Sequence, residues 1–181
     1  TCALPIWLDA QLGNGMDEST RPHRMPSGRW PAQRAMRFDA SRRQHLRVPH
    51  ANELNVTQAV TVAAWIRPAI ALMESEAVVL TKGPRGADEA GPNYELGLLR
   101  RADEMRRARC TLYFRCGAHR VETTDFVVVP GRWMHVAATV GVDGVRLSVD
   151  GAVVGNGEGA DWTPNDGDLL IGCRLDPSSL S

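Results

Sequence analysis

GRWMHVAATVGVDGVRLSVDG (residues 131–151) is the stretch that decides the fold. In WMHVAATV (133–140) the even positions Met134, Val136, Ala138 and Val140 are all apolar. That period of two is the mark of a strand with one face on a core. Asp143-Gly144 follows, then VRLSV, where Val145, Leu147 and Val149 point one way and Arg146, Ser148 and Asp150 the other. Asp150-Gly151 leads into AVVG. Asp-Gly suits two-residue hairpin turns, because positive φ costs Gly nothing and Asp little. The spacing therefore predicts a three-stranded meander over 131–155. The same stretch carries Trp133 and His135 on one face, with Asp residues nearby, and these residue types also serve catalysis. A histidine base needs a nucleophile and an orienting acid, and the sequence places neither beside it. The Asp residues are explained by turns, His135 is expected half-buried against a neighbour, and Trp133 is expected to fill core.

The same period runs outward along the chain. AMRFDA (35–40), HLRVPH (45–50), AVTVAAWIRP (59–68), AVVLTKG (77–83), NYELGLL (93–99), CTLYFRC (110–116), RVETTDFVVV (120–129) and DLLIGC (168–173) each give a short strand. In AVTVAAWIRP both alternating sets are apolar, the pattern of a strand covered on both faces, and Pro68 ends it. Gly, Pro, Asn and Asp clusters separate these runs, the sequence pattern of an all-β sandwich or barrel. ALMESEA (71–77) and RRADEMRRAR (100–109) are short, charged and set between strands, so they are expected to be loops. The arginines of 100–109 are interrupted by Asp103 and Glu104, as in a solvated hairpin tip.

Composition narrows the function classes. The chain has 181 residues, 43% hydrophobic and 23% charged, enough for one sizeable domain. A formal net charge of +0 provides no overall field for nucleic acid or an anionic membrane, and apolar runs such as FVVVP (126–130) are too short to span a bilayer. TCALPIWLDAQLG has no secretory signal pattern. Its first six residues resemble the in-frame translation of a sequencing adapter, so nothing is built on Cys2. Cys110 and Cys116 would share a face of one strand but lie about 20 Å apart, too far to bond to each other. Buried free thiols are the main expectation. A Cys116–Cys173 bridge is the alternative and would imply an oxidising compartment.

MRFDASRRQHLRVPHANELNVTQAVTVAAWIRP (36–68), VVLTKG, NYELGL, VPGRWMHVAATV, GVRLSVDGAVV and LLIGC, in this order, resemble the laminin G-like, concanavalin A-like lectin domains of large bacterial surface proteins. The resemblance covers residues 35–174. It implies an all-β, two-sheet antiparallel sandwich of the concanavalin A-like jelly-roll type. On it, residues 1–34 are an N-terminal strand and linker and 35–181 the jelly-roll domain. The family continues with a strand of the kind GxIDEVRIY where this chain has RLDPSSLS, so the domain is expected to be incomplete at its C-terminal strand. The resemblance also implies a secreted or cell-surface location, with a glycan or protein ligand and further domains of the same polypeptide as partners, no nucleic acid and no membrane insertion.

The candidate sites are few. Glycosidases on this sandwich resemble one another in an ExDxE-type strand, whose alternation puts acid and nucleophile on one face. The sequence has none, nor a nucleophile elbow, HExxH or a Gly-rich phosphate loop, so no catalytic residues are assigned. Calcium arises from the related pentraxins, whose pattern places ligands at Asn93 and Asp176. Pro92, Arg174 and Leu175 replace the remaining ligands, too few for a cation that takes roughly six to eight oxygens. DWTPNDGD (161–168) is a second acidic loop, rich in the Asx residues that build turns. For sugar stacking the candidates are Trp162 in that loop and Tyr94 beside Asn93. The expected function is non-catalytic recognition of carbohydrate or protein. The alternatives are a structural spacer and, more remotely, a glycan-active enzyme with an unrecognised site.

Overall fold

The computed structural model describes residues 10–13, 17–69, 76–83, 91–102 and 108–173. Within them the chain forms β1 (Gln11–Leu12), β2 (His23–Met25), β3 (Ala35–Arg37), β4 (Leu46–Val48), β5 (Val60–Ile66), β6 (Glu76–Lys82) and β7 (Tyr94–Ala102). It continues with β8 (Ala108–Cys116), β9 (His119–Glu122), β10 (Met134–Gly141), β11 (Gly144–Val149), β12 (Ala152–Gly157) and β13 (Leu169–Ile171). A seven-stranded sheet runs β1-β4-β13-β6-β7-β8-β9 and a four-stranded sheet β12-β11-β10-β5. Neighbouring strands in both are antiparallel. This is the two-sheet sandwich that the family resemblance implies, one of the two architectures the strand periods leave open. β2 and β3 form a separate hairpin.

The core lies between the sheets. Tyr94, Leu96, Leu98, Cys110, Leu112, Phe114 and Cys116 come from β7 and β8, facing Val62, Met134, Val136, Ala138, Val140, Val145, Leu147 and Val149 from β5, β10 and β11. The meander is the inner half of this packing, with Val136 opposite Val149 and Ala138 opposite Leu147, two residues away from the register that a turn at Asp143-Gly144 would set. Its two turns differ in detail. Asp150 and Gly151 both take positive φ, 49° and 86°, as a two-residue primed turn requires. In the other turn Gly141 pairs with Gly144, so Val142 and Asp143 form the tip and only Gly144 is left-handed, at 97°.

Several expectations are corrected. β5 is covered on one face only: Val60, Val62, Ala64 and Ile66 pack toward the core, whereas Thr61, Ala63 and Trp65 are exposed. Ala63 and Trp65 give that outer face its interior look. The 120–129 run is not one strand, because β9 ends at Glu122. The Thr123 hydroxyl accepts from Leu112 N at 3.1 Å and donates to Asp125 O at 3.0 Å, turning the chain, which pairs with β8 again at the Cys110–Val128 bridge. Trp133 is half-buried and stands outside the core cluster, since its parity is that of His135 and not of Met134. The loop expected at 100–109 is shorter, because β7 runs to Ala102 and β8 starts at Ala108. Its centre at 103–107, most of the loop expected at 71–77, and the segment 174–181 lie outside the described residues.

Cys110 and Cys116 are buried free thiols on the inner face, and Cys173 is free and half-buried. Burial pushes the Cys116 thiol up to about 11 and that of Cys173 up to about 12. Residues 11–34 supply β1 at the sheet edge and the first strand of the β2–β3 hairpin. No helix among the described residues is long and apolar enough to cross a membrane.

Candidate functional site

The expected sites meet at the rim around 91–94 and 161–168. Asn93 is fully buried, and its side chain is spent on one residue's backbone: Oδ1 accepts from Val56 N at 2.8 Å and Nδ2 donates to Val56 O at 2.9 Å. Tyr94 is a core residue whose hydroxyl is pushed up to about 12 by burial. Both are candidates for ligand contact in the sequence, and neither is offered to solvent. Asn93 lies where β7 begins, and the alternation that sends Leu96 and Leu98 inward sends Tyr94 with them. Trp162 is half-buried and packs against the core cluster. Asp176 lies outside the described residues.

The acidic loop is organised by a cation of the protein's own. Lys82 is fully buried at the end of β6. Its Nζ donates to Gly167 O at 2.6 Å, Asn165 O at 3.0 Å and Asn165 Oδ1 at 3.3 Å, and stands 3.3 Å from His50 Nδ1. Burial lowers the Lys82 ammonium below its usual range, while Asp168 and Asp166 act in the opposite direction. Asp168 is likewise spent, accepting from Arg47 Nε and, at 2.8 Å, from His50 N. Asp166 is exposed, with its carboxylate 3.7 Å from His50 Nε2. Among the described residues no three His, Cys, Asp or Glu side chains gather as a metal-ligand set. Asn93, with its oxygen already engaged, does not fit a calcium ligand.

The outward face of the seven-stranded sheet carries carboxylates from different strands, an arrangement that no single-strand motif announces. Tyr113 donates to Glu95 Oε1 at 3.0 Å, and both residues are fully buried. Thr111 donates to Glu122 Oε1 at 2.7 Å. The Arg120 guanidinium lies 3.9 Å from the Tyr113 ring centroid and donates to Glu76 Oε1 at 3.2 Å, spanning the sheet. Gly97 makes this possible, because a Cβ there would come within 2.4 Å of the Tyr113 ring. These groups bind one another, as a rigid polar network does.

The outer face of the four-stranded sheet is different. Trp30, at the tip of the β2–β3 hairpin, sits edge-on to Trp65 of β5 with centroids 5.1 Å apart. The His135 ring lies 5.2 Å from that of Trp65, its cross-strand partner. The Arg29 guanidinium lies over both indoles, 4.8 Å from Trp65 and 5.2 Å from Trp30. Trp30 remains 44% and Trp65 37% exposed. Arg67, two residues after Trp65, is exposed and donates from Nε to Gly131 O at 3.0 Å. Asp150 closes the far side, its Oδ1 accepting from His135 N at 2.8 Å. So His135 does leave the core, as the period of β10 requires, but toward an aromatic row and not a catalytic triad. The sequence signal for this row is the alternation of Trp65 with Ile66. The arrival of Trp30 from a distant hairpin has none.

Residues 40–179 match a family described as the concanavalin A-like lectin/glucanases superfamily. Among solved structures the fold resembles domain 4 of AbnA, a GH43 extracellular arabinanase from Geobacillus stearothermophilus, in complex with arabinotriose. The TM-score is 0.59 at 15% identity, over 93% of this chain and 75% of that one, a likeness of fold. No curated protein matches the sequence.

Proposed function

The chain belongs to the concanavalin A-like lectin/glucanases superfamily, and on that premise we propose that it is a non-catalytic module that recognises carbohydrate on the outer face of its four-stranded sheet. The observation that supports this most is the exposed Trp30–Trp65–His135 row with Arg29 on it. Sugar recognition combines the apolar C–H face of a ring with a few fixed polar donors, and this surface has both. The sugar-bound state of the structurally similar arabinanase domain agrees with the reading. Catalysis finds less support: Glu95 is buried against Tyr113, and the neighbouring carboxylates bond to Thr111 and Arg120. The resemblance of the strands to bacterial surface domains supports an exported protein as the setting of the module.

The spacer reading also has an observation in its favour, because Trp30 on Trp65 clamps the hairpin to the sheet whether or not a ligand exists. A glycan array separates the two. Binding to one class of glycan, lost in Trp65→Ala and kept in Trp162→Ala, supports recognition at this face. No retention across broad polysaccharides leaves the spacer.

A further inference from the structure

We infer that the Trp30–Trp65–Arg29 patch takes an anionic sugar, one whose ring carries a carboxylate or a sulfate. This rests on the reading that the outer face of the four-stranded sheet recognises carbohydrate, and adds the charge of the ligand to it.

Arg29 is the reason. A guanidinium held over an aromatic ring by cation–π attraction keeps N–H donors at its edge for other acceptors. Those edge donors form a planar fork matched to a two-oxygen anion. Arg29 is exposed and makes no ion pair among the described residues. In this it differs from Arg21, Arg42, Arg47 and Arg120, each of which has an acid within 4.0 Å. The surroundings have the same sign. HRMPSGRWPAQRAMR (23–37), which forms the hairpin, has four arginines and no Asp or Glu. Arg67 adds a further exposed cation on the Trp65 side of β5. Asp150 lies at this end of β10, and its Oδ1 is engaged by the His135 amide.

A nucleic-acid strand offers the same charges and flat rings, but the patch does not suit it. Single strands are held by a track of cations along a groove with aromatic faces for successive bases. Here the two indoles are 78° apart in plane and in contact, presenting one platform, and the chain as a whole has a formal net charge of +0. The proposed pose sets the acid group on Arg29 and the sugar ring against the exposed part of Trp30 or Trp65, which are 44% and 37% exposed.

Calorimetric titration of the whole chain tests this with five probes: tetragalacturonic acid, its methyl ester, a sulfated chondroitin tetrasaccharide, arabinotriose and a short single-stranded DNA. The expected result is that at least one of the two anionic sugars binds roughly tenfold or more tightly than both neutral ones. Binding of the tetragalacturonate shows that a carboxylate suffices, whereas binding of the chondroitin probe alone, which carries uronate carboxylates beside its sulfates, shows that sulfate is required. Arg29→Gln should weaken the anionic sugar roughly tenfold or more, a larger loss than it causes for the neutral ones, so that the preference disappears, and Arg29→Lys should keep part of it. Equal affinity for acid and neutral sugars overturns the inference and leaves carbohydrate recognition standing. Tighter binding of the DNA overturns it in favour of a phosphate backbone. No heat with any sugar overturns both the inference and the reading beneath it. A urea unfolding midpoint of Arg29→Gln close to that of wild type shows that the fold has survived the substitution.

Discussion

The rim loop at 161–168 and the outer face of the four-stranded sheet both gather aromatic and charged side chains, yet they treat those groups in opposite ways. At the rim the strong groups have internal partners. Lys82 donates to Asn165 O and Gly167 O, Asp168 accepts from Arg47 and from the His50 amide, and Trp162 leans on the core. On the sheet face Trp30 and Trp65 remain well exposed, and Arg29 has rings beneath it but, among the described residues, no acid paired with it. A loop rich in Asx residues builds itself by satisfying its own backbone. A flat sheet face has no such need, so cations and indoles left on it are available to something else.

The contrast breaks most visibly at Lys82. Lys82→Met keeps the volume and removes the donor, leaving the carbonyls of Asn165 and Gly167 without it. Buried acceptors stripped of a donor cost about 1–3 kcal/mol, so urea denaturation should show a loss of that order. A variant as stable as wild type would mean that the ammonium does not hold the rim. Glycan binding should survive in this variant wherever the fold does.

Trp65→Ala is the matching change on the other side, with a smaller effect on stability. It removes an aromatic pair worth about 0.5–1.5 kcal/mol beyond its buried area, and it should abolish glycan retention. If affinity persists, the sheet face is a clamp and nothing more.

The smallest effect is a pH dependence. Burial lowers the proton affinity of Lys82 in the folded chain. Between that lowered value and 10.5 the unfolded chain therefore binds more protons at this site than the folded one. Stability from this group then rises with pH through that window. Wild type should gain on Lys82→Met as denaturation is moved from about pH 7 to about pH 10. A gap that moves the other way contradicts burial as the dominant influence.

How much of this the sequence could reveal follows from the range of the contacts. The 131–155 meander is local, and period two with Asp-Gly punctuation is enough to put Val136, Ala138, Leu147 and Val149 in the core, where they lie. The order of the strand motifs carries the sandwich. Burial at the rim is not legible, because Lys82 meets Asn165 across 83 residues and Asn93 meets Val56 across 37. An acidic loop read alone looks like a cation site, and only the fold shows that a lysine ammonium lies against it. Trp65 looks covered because Thr61 and Ala63 beside it are small or apolar, a composition that an exposed face also tolerates. Trp30 reaches Trp65 through a hairpin that belongs to neither main sheet, and no period along the chain encodes that meeting.

Ligand recognition at the sheet face, and not at the rim, is what the indoles themselves can report. The five indole N–H signals, assigned by single Trp→Phe substitutions, are followed while the anionic tetrasaccharide is titrated into labelled protein. Saturable shifts of Trp30 and Trp65 are expected, with Trp162 unmoved. Shifts at Trp162 with Trp30 and Trp65 still would contradict recognition at the sheet face.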